Sequence, residues 1–360
     1  MDLVIYGAQG LALGVYQVIH NLLPSRVVRC FLVTEQGINA KILAGVPVLE
    51  LIPFAQSLSA EEKDKIEILI ATPEDVMPEI ERNLEIQGLY CHVRMTSLRW
   101  SELMKYRVCD KKYIPLSALP VGYHKAAVFL FMAKFYKDRQ LTDQYNFPGW
   151  VIPIQVGAAL CCERVADMLD CNGDNISDKN GNYSELTALY WIWKNQLMKE
   201  PVKDNAEYYG LCHYRRILEL SDDDVLRLID NDIDVVLPFP MPYEPNIEEH
   251  HKRYINDQDW KILMTVLKEL HPESLQEIYK ILSQQYLYNY NIMIARKFVL
   301  NDYCQWLFPI LERVEELSVP KGKDRNDRYI GYMGETLATI YFAEKKEQLN
   351  IVHTGCRFLN

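Results

Sequence analysis

Between Leu169 and Arg216 the chain gathers residue types that serve chemistry better than packing. A Gly173-Asp174-Asn175-Ile176-Ser177 run leads through Lys179 and Asn180 into Tyr190-Trp191-Ile192-Trp193-Lys194-Asn195, and an apolar segment then ends in His213-Tyr214-Arg215-Arg216. Guanidinium forks recognise phosphate and carboxylate through paired hydrogen bonds, so two adjacent arginines beside a histidine at a strand end read as an anion site. The structural alternative is an arginine bracing the fold against acids such as Glu219 or Asp174. The 173–180 loop is dense in donors, yet by composition alone it equally reads as a turn. Trp191 and Trp193 lie two apart and cannot share one helical face, so one of them is expected to border a pocket or a neighbouring domain.

The elements that must position these residues fall into two groups. Residues 1–115 alternate strands and helices. Strands are expected at Leu3–Tyr6, Val28–Thr34, Val46–Leu49, Glu67–Ala71 and Tyr90–Met95, with helices at Leu11–Leu23 and Pro73–Gln87. That alternation predicts an α/β domain, a Rossmann-like parallel sheet covered on both faces. Its first turn, Gly7-x-x-Gly10-x-x-x-Gly14, departs from the dinucleotide fingerprint, and Glu35 only loosely matches the acid expected after the second strand. Such a turn can hold a phosphate at a helix N-terminus, or simply let the helix pack on the strand. The order of elements is similar to the Rossmann-like N-terminal domain of bacterial sugar acyltransferases.

The pattern loosens between Trp100 and Tyr123, which places the linker there. The second domain, 116–360, is expected to open with a helix at Lys125–Lys137, after which Val151–Gly157 leads into a loop or short helix. A helix at Ser184–Lys194, a strand at Glu207–Cys212, a helix at Asp222–Ile229 capped by Ser221 and a strand at Asp234–Leu237 follow. Helices at Asp257–Leu270 and Pro272–Gln284, a strand at Tyr290–Ala295 and helices at Asp302–Glu316 and Tyr332–Lys345 complete it.

Composition narrows the classes. The 360 residues are 49% hydrophobic and 24% charged with a net charge of -10, an ordinary globular balance that argues against a nucleic-acid partner. The longest apolar run, Ala126–Ala133, is far too short to cross a membrane, and no leader pattern precedes Leu3. Nine scattered cysteines without a Cys-x-x-Cys pair read as reduced cytoplasmic thiols, and no histidine spacing suggests zinc.

The second domain carries a resemblance. Pro153-Ile154-Gln155-Val156-Gly157, the Gly173–Asn180 loop, Glu185-Leu186-Thr187-x-x-Tyr190-Trp191-x-Trp193-Lys194-Asn195, His213-Tyr214-Arg215-Arg216, Asn291-x-Met293-Ile294, Tyr303-Cys304-x-Trp306-Leu307-Phe308 and Gly331-x-x-x-Glu335 occur in that order. Over 120–360 they resemble a glycosyltransferase family of bacterial capsule and O-antigen clusters, first catalogued as a domain of unknown function. One departure is the opening, where the family has an apolar strand running into a His-Lys pair and His124-Lys125 here follows a Pro- and Gly-containing segment.

The resemblance implies a GT-A-like fold and a nucleoside diphosphate sugar donor, UDP-linked, from which a hexose such as galactose passes to a lipid-linked glycan acceptor. It implies cytoplasmic work at the inner membrane face by peripheral association. His213, Arg215, Arg216, Asn175, Lys179, Asn180, Gln155 and Asn291 are then expected to bind the donor. A divalent metal is not favoured. Asp222-Asp223-Asp224, Asp230-x-Asp232 and Asp257-x-Asp259 read as solvated caps, and Asp232-x-Asp234 sits at the wrong end of its strand. The basic cluster stands where a metal-binding pair would be. Glu185 and Glu335 lie on apolar helices, where a carboxylate is costly unless paired or functional. Glu335 is the first candidate for the base that takes the acceptor proton, with its carboxylate expected to be held ionised by the helix N-terminus; Asp174 is the second. The rival readings are a non-catalytic sugar-nucleotide or partner-binding component of an assembly complex, and a nucleotide-linked oxidoreductase built on the first domain.

Overall fold

The computed structural model describes residues 2–106, 113–198 and 207–360. The chain divides into two compact units, residues 1–111 with 241–245 and 360, and residues 112–240 with 246–359. Part of the expected linker, 107–112, lies outside the described residues.

In the first unit, strands β1 (Asp2–Tyr6), β2 (Val28–Val33), β3 (Ile42–Leu43), β4 (Val46–Glu50), β5 (Ile66–Ile70) and β6 (His92–Arg94) form one sheet in the order β3-β4-β2-β1-β5-β6. All pairs are parallel except the antiparallel edge strand β3. This is the expected Rossmann-like sheet. The β1 run Leu3-Val4-Ile5-Tyr6 is buried on both faces, as a central parallel strand must be. Close approach accounts for the glycines of the first turn. A Cβ on Gly7, at φ +123, would lie 2.4 Å from the Ala71 carbonyl oxygen, and one on Gly14 would lie 2.2 Å from the Trp100 ring. Gly10 is similarly crowded by the Tyr243 ring at 2.8 Å. Trp100 is therefore no part of a loose connector; it sits on the helix Ser97–Tyr106, packed against the helix Gly10–Leu22.

The second unit is built on β7 (Ala127–Lys134), β8 (Val151–Gln155), β9 (Met168–Leu169), β10 (Glu207–His213), β11 (Arg216–Leu218) and β12 (Val235–Pro238). After the two-residue strands β13 (Met241–Pro242, in the first unit) and β14 (Tyr286–Leu287) come β15 (Met293–Arg296), β16 (Ile351–Thr354) and β17 (Cys356–Phe358). Its sheet runs β16-β12-β15-β10-β7-β8-β9, with β11 joining β10 to β17. The ladder is parallel from β10 through β7 and β8 to β9, while β15 lies antiparallel between β10 and β12.

Three expectations are corrected here. Lys125–Lys137 is not a helix: Ala127–Lys134 is the strand β7, parallel between β8 and β10. An eight-residue apolar run has no polar face to reveal its period, and burial on both sides of a sheet satisfies it as well as a helix core does. The expected Ser184–Lys194 helix is broken at its start. Ser184 stands at φ +51, the helix proper is Leu186–Ile192, and a π-helical turn, Trp193–Leu197, follows it. That wider turn brings both tryptophans into the packing. Trp191 donates to the Asn172 carbonyl at 2.7 Å, while Trp193 stacks on Phe308 with centroids 5.4 Å apart. Both are buried, so neither is the pocket-bordering ring expected from spacing.

Asp170, fully buried after β9, ties this region together. It accepts the Gly157 and Ala158 N–H groups at 2.8 and 3.0 Å, the Thr187 hydroxyl at 2.7 Å and the Ser177 hydroxyl. Asp170→Ala would orphan four buried donors and is expected to cost roughly 3–5 kcal/mol, since each such group is worth about 1–3 kcal/mol when left unmade. Chemical denaturation measures this, and a loss below about 1 kcal/mol would mean that the donors find other acceptors.

Candidate functional site

Three consecutive residues, Asn289, Tyr290 and Asn291, precede β15 and reach four polar side chains. Tyr290 and Asn291 stand at φ +72 and +51. Asparagine tolerates the left-handed region; a bulky tyrosine there is strained, and strain of this kind is held where the surroundings over-determine it. The surroundings here are specific. The Asn289 amide donates to Glu335 Oε2 at 3.3 Å, and the Tyr290 N–H also donates to Glu335. The Tyr290 carbonyl accepts from His213 Nε2 at 2.7 Å, which fixes that nitrogen as the protonated one of the neutral ring. The Asn291 amide donates to Glu185 Oε1 at 2.7 Å and to the Gly331 carbonyl at 3.1 Å. Gly334 keeps the helix Tyr329–Glu344 close, because a Cβ there would lie 2.9 Å from Asn291 Oδ1.

The fourth side chain is Arg216. Its guanidinium lies over the Tyr290 ring at 4.3 Å and the Phe358 ring at 5.2 Å. Among the described residues it has no hydrogen bond or ion pair. A cation held between two rings with its donors unengaged can take an anion through the full fork. Arg215 is placed differently: Nε donates to the Leu359 carbonyl at 3.3 Å, and the group stacks on Phe358 at 4.5 Å.

Burial and like charge set the proton chemistry. Withdrawal from water raises Glu335 to about 7, the nearby Glu185 adds to this, and the donors from Tyr290 and Asn289 oppose it. The expectation of a carboxylate held ionised by a helix N-terminus is therefore corrected. The helix begins at Tyr329, about two turns before Glu335, and the dipole effect fades within the first turn. His213 is lowered, chiefly by burial, so its ring is neutral near pH 7. His213 Nε2 also lies 3.8 Å from Glu185 Oε1. One turn before Glu335 on the same helix, Tyr332 stacks with Tyr254 at 4.7 Å, and Tyr254 remains 50% exposed.

Thus His213, Arg216, Asn291 and Glu335 gather around one turn, and Glu185 joins them. The other expected donor ligands are engaged inside the fold. Gln155 is fully buried and bonds the Glu163 carbonyl and the Val165 N–H. Asn175 closes its own turn through the Cys171 and Gly173 carbonyls and the Ser177 N–H. Lys179 pairs with Glu315 at 2.7 Å, and Asn180 bonds the Ser184 carbonyl and Thr187. Asp174 is exposed and accepts from the Tyr190 hydroxyl at 3.3 Å.

The acidic pairs are accounted for by structure as well. Ser221 and Asp224 form a capping box, and Asp230 caps the Tyr123–His124 turn. Asp232 and Asp234 pair with Arg296 at 2.7 and 3.4 Å. Asp259 is a buried partner of the Arg325 fork, not a solvated cap. Among the described residues no cluster of three or more His, Cys, Asp or Glu could hold a metal.

The raised Glu335 makes a stability prediction. Its folded value of about 7 exceeds the ordinary 4.5, so the folded state keeps a proton that the unfolded chain releases between those values. Stability from this group therefore falls as pH rises through that window and stays low above it. Glu335→Gln should gain stability relative to the parent chain between pH 5 and pH 8, read as the difference between melting curves; parallel pH profiles would show that the carboxyl titrates normally.

Residues 142–347 match a family model described as Domain of unknown function (DUF4422). No curated protein matches the chain. Among solved structures, the apo structure of WbbM, a bifunctional glycosyltransferase, is similar to it in fold, with a TM-score of 0.54 at 24% identity. That match covers 65% of this chain and 45% of the WbbM chain, so this chain spans less than half the length of that neighbour. With the family model extending over more than half of its residues, the chain belongs to the DUF4422 family.

Proposed function

We propose that this protein is a glycosyltransferase that moves a hexose, galactose in the first instance, from a UDP-linked donor to a lipid-linked glycan in the assembly of a bacterial surface polysaccharide. The observation that carries the reading is the guanidinium of Arg216, unengaged among the described residues, held against two rings at the start of β11 opposite His213 at the end of β10, and within the electrostatic reach of Glu335. Ligands of open α/β sheets bind beyond the carboxyl ends of the strands, where this cluster stands. The fold shared with WbbM supports the same class of chemistry.

In this reading Arg216, assisted by Arg215, takes the diphosphate and offsets the charge that grows on it as the anomeric C–O bond breaks. The acceptor hydroxyl attacks the anomeric carbon, forming the new glycosidic bond, and its proton passes to Glu335. A carboxyl titrating near 7 suits that task, because it is substantially ionised at neutral pH yet remains a competent base. Asp174 is the alternative base. The stacked Tyr332 and Tyr254 offer an apolar face to the acceptor sugar beside Glu335. No metal is required, the cation cluster supplying the charge. In this reading the work is done in the cytoplasm at the membrane face. Among the described residues no helix is long and apolar enough to cross a membrane.

Nucleoside diphosphate release with and without acceptor tests the proposal. Release should persist in chelator, and Glu335→Gln should slow transfer about 10²–10⁴-fold, the scale of general-base catalysis, with donor binding nearly unchanged. Donor binding without any release would make the protein a binding component. Full loss in chelator, restored by manganese or magnesium, would overturn the metal-independent mechanism. Transfer within a few fold of the parent chain in Glu335→Gln would move the base to Asp174.

A further inference from the structure

We infer that Lys134 and Arg328 join Arg216 in holding the donor diphosphate, so that the anion site is built from the ends of β7 and β10 together with the loop before the Tyr329–Glu344 helix. The inference rests on the reading of this cluster as a donor site.

The geometry begins with two adjacent parallel strands. β7 and β10 run in register to Ala133 and His213, and the Tyr214 N–H still donates to the Ala133 carbonyl at 3.1 Å. Lys134 therefore stands opposite Tyr214, one residue before Arg215, at the ends of neighbouring strands. Among the described residues the Lys134 ammonium has no hydrogen bond or ion pair, and it opens on a cleft of about 630 Å³ whose lining also includes Arg164 and Asp167. That volume lies in the range of small-ligand sites.

Arg328 arrives from another part of the chain. It stands at φ +62, uncommon for a side chain of its size, and its N–H bonds the Gly181 carbonyl at 3.2 Å. Its Nε donates to Ser184 Oγ at 2.8 Å, and Ser184 is itself in the left-handed region at φ +51. Two strained residues thus brace one another through their side chains. Only Nε is engaged; the terminal nitrogens have no partner among the described residues. A guanidinium anchored by Nε presents both terminal nitrogens as a fork.

The fields of these groups converge. Lys134, Arg215 and Arg328 all act on Asp138, and Arg216 and Arg328 both act on His213. Asp138 is drawn inward, where loss of water raises its carboxyl despite those cations. In a chain of net charge -10, grouping three cations around one such carboxyl, with Arg216 and Arg328 meeting at His213, is unfavourable until a polyanion arrives. A diphosphate supplies that charge and enough oxygens to use the forks of Arg216 and Arg328 and the point charge of Lys134.

Titration calorimetry of the full chain with inorganic pyrophosphate and with UDP tests this, using Lys134→Ala, Arg328→Ala, Arg328→Lys and Arg216→Ala, with Arg26→Ala, an exposed partner of Glu67 in the first unit, as control. Lys134→Ala and Arg328→Ala should each weaken both ligands about tenfold or more, the scale of a hydrogen bond to a charged group. Arg328→Lys should restore only part of the loss, and Arg26→Ala should change nothing. Should Arg328→Ala fail to fold, Lys134→Ala and Arg328→Lys still decide the matter. Binding within twofold of the parent chain in these variants, with Arg216→Ala impaired, would overturn the inference and leave the donor site standing. A parent chain that binds neither pyrophosphate nor UDP would overturn the donor reading itself.

Discussion

The Asn289–Tyr290–Asn291 turn is the constraint on which the second unit's chemistry depends. Two successive residues in the left-handed region cost conformational energy, more for the tyrosine than for the asparagine. In return the turn sends consecutive groups to different partners: two donors to Glu335, a carbonyl to His213, a ring beneath Arg216 and an amide to Glu185. Relaxing the turn to ordinary extended backbone would redirect all of these at once. β15, directly after it, is antiparallel to β10, which brings the end of β10 with His213 back to the start of β15. The sheet topology and the strained turn are thus two parts of one positioning device.

Opposed charges meet at this point without cancelling. Burial and the neighbouring Glu185 raise the cost of ionising Glu335, and the donors from Tyr290 and Asn289 oppose them. The result is one carboxyl poised near neutrality beside a neutral histidine, within reach of the field of an arginine unpaired among the described residues. A merely structural ion pair would have brought Arg216 onto one of these carboxylates, as Arg325 is brought onto Asp259 and Lys179 onto Glu315. The rings of Tyr290 and Phe358 hold the guanidinium instead.

Legibility in the sequence followed physical cause. The first unit was readable because its strands are short apolar runs separated by helices of clear period, and the Asp257–Leu270 helix was readable because Asp257 and Asp259 open an amphipathic pattern. β7 was misread since a uniformly apolar run carries no period. His213 and Arg216 could be found from a basic cluster ending an apolar strand. Asn175, Asn180 and Gln155 are satisfied inside the fold: an amide in a loop or at a strand end bonds nearby backbone as readily as a ligand. Lys179 is satisfied by Glu315, a partner 136 residues away. The left-handed Tyr290 and Arg328 left almost no trace, as neither residue type announces such a backbone; the flanking Asn289 and Asn291 were the one available hint.

The most direct measurement of the central claim is a crystal structure of the protein soaked with UDP. The account predicts diphosphate oxygens on the Arg216 guanidinium at the start of β11, opposite the end of β10, with Glu335 open on the side from which an acceptor would approach. Ordered nucleotide on the Gly7–Gly14 turn of the first unit, with Arg216 left untouched, would contradict it.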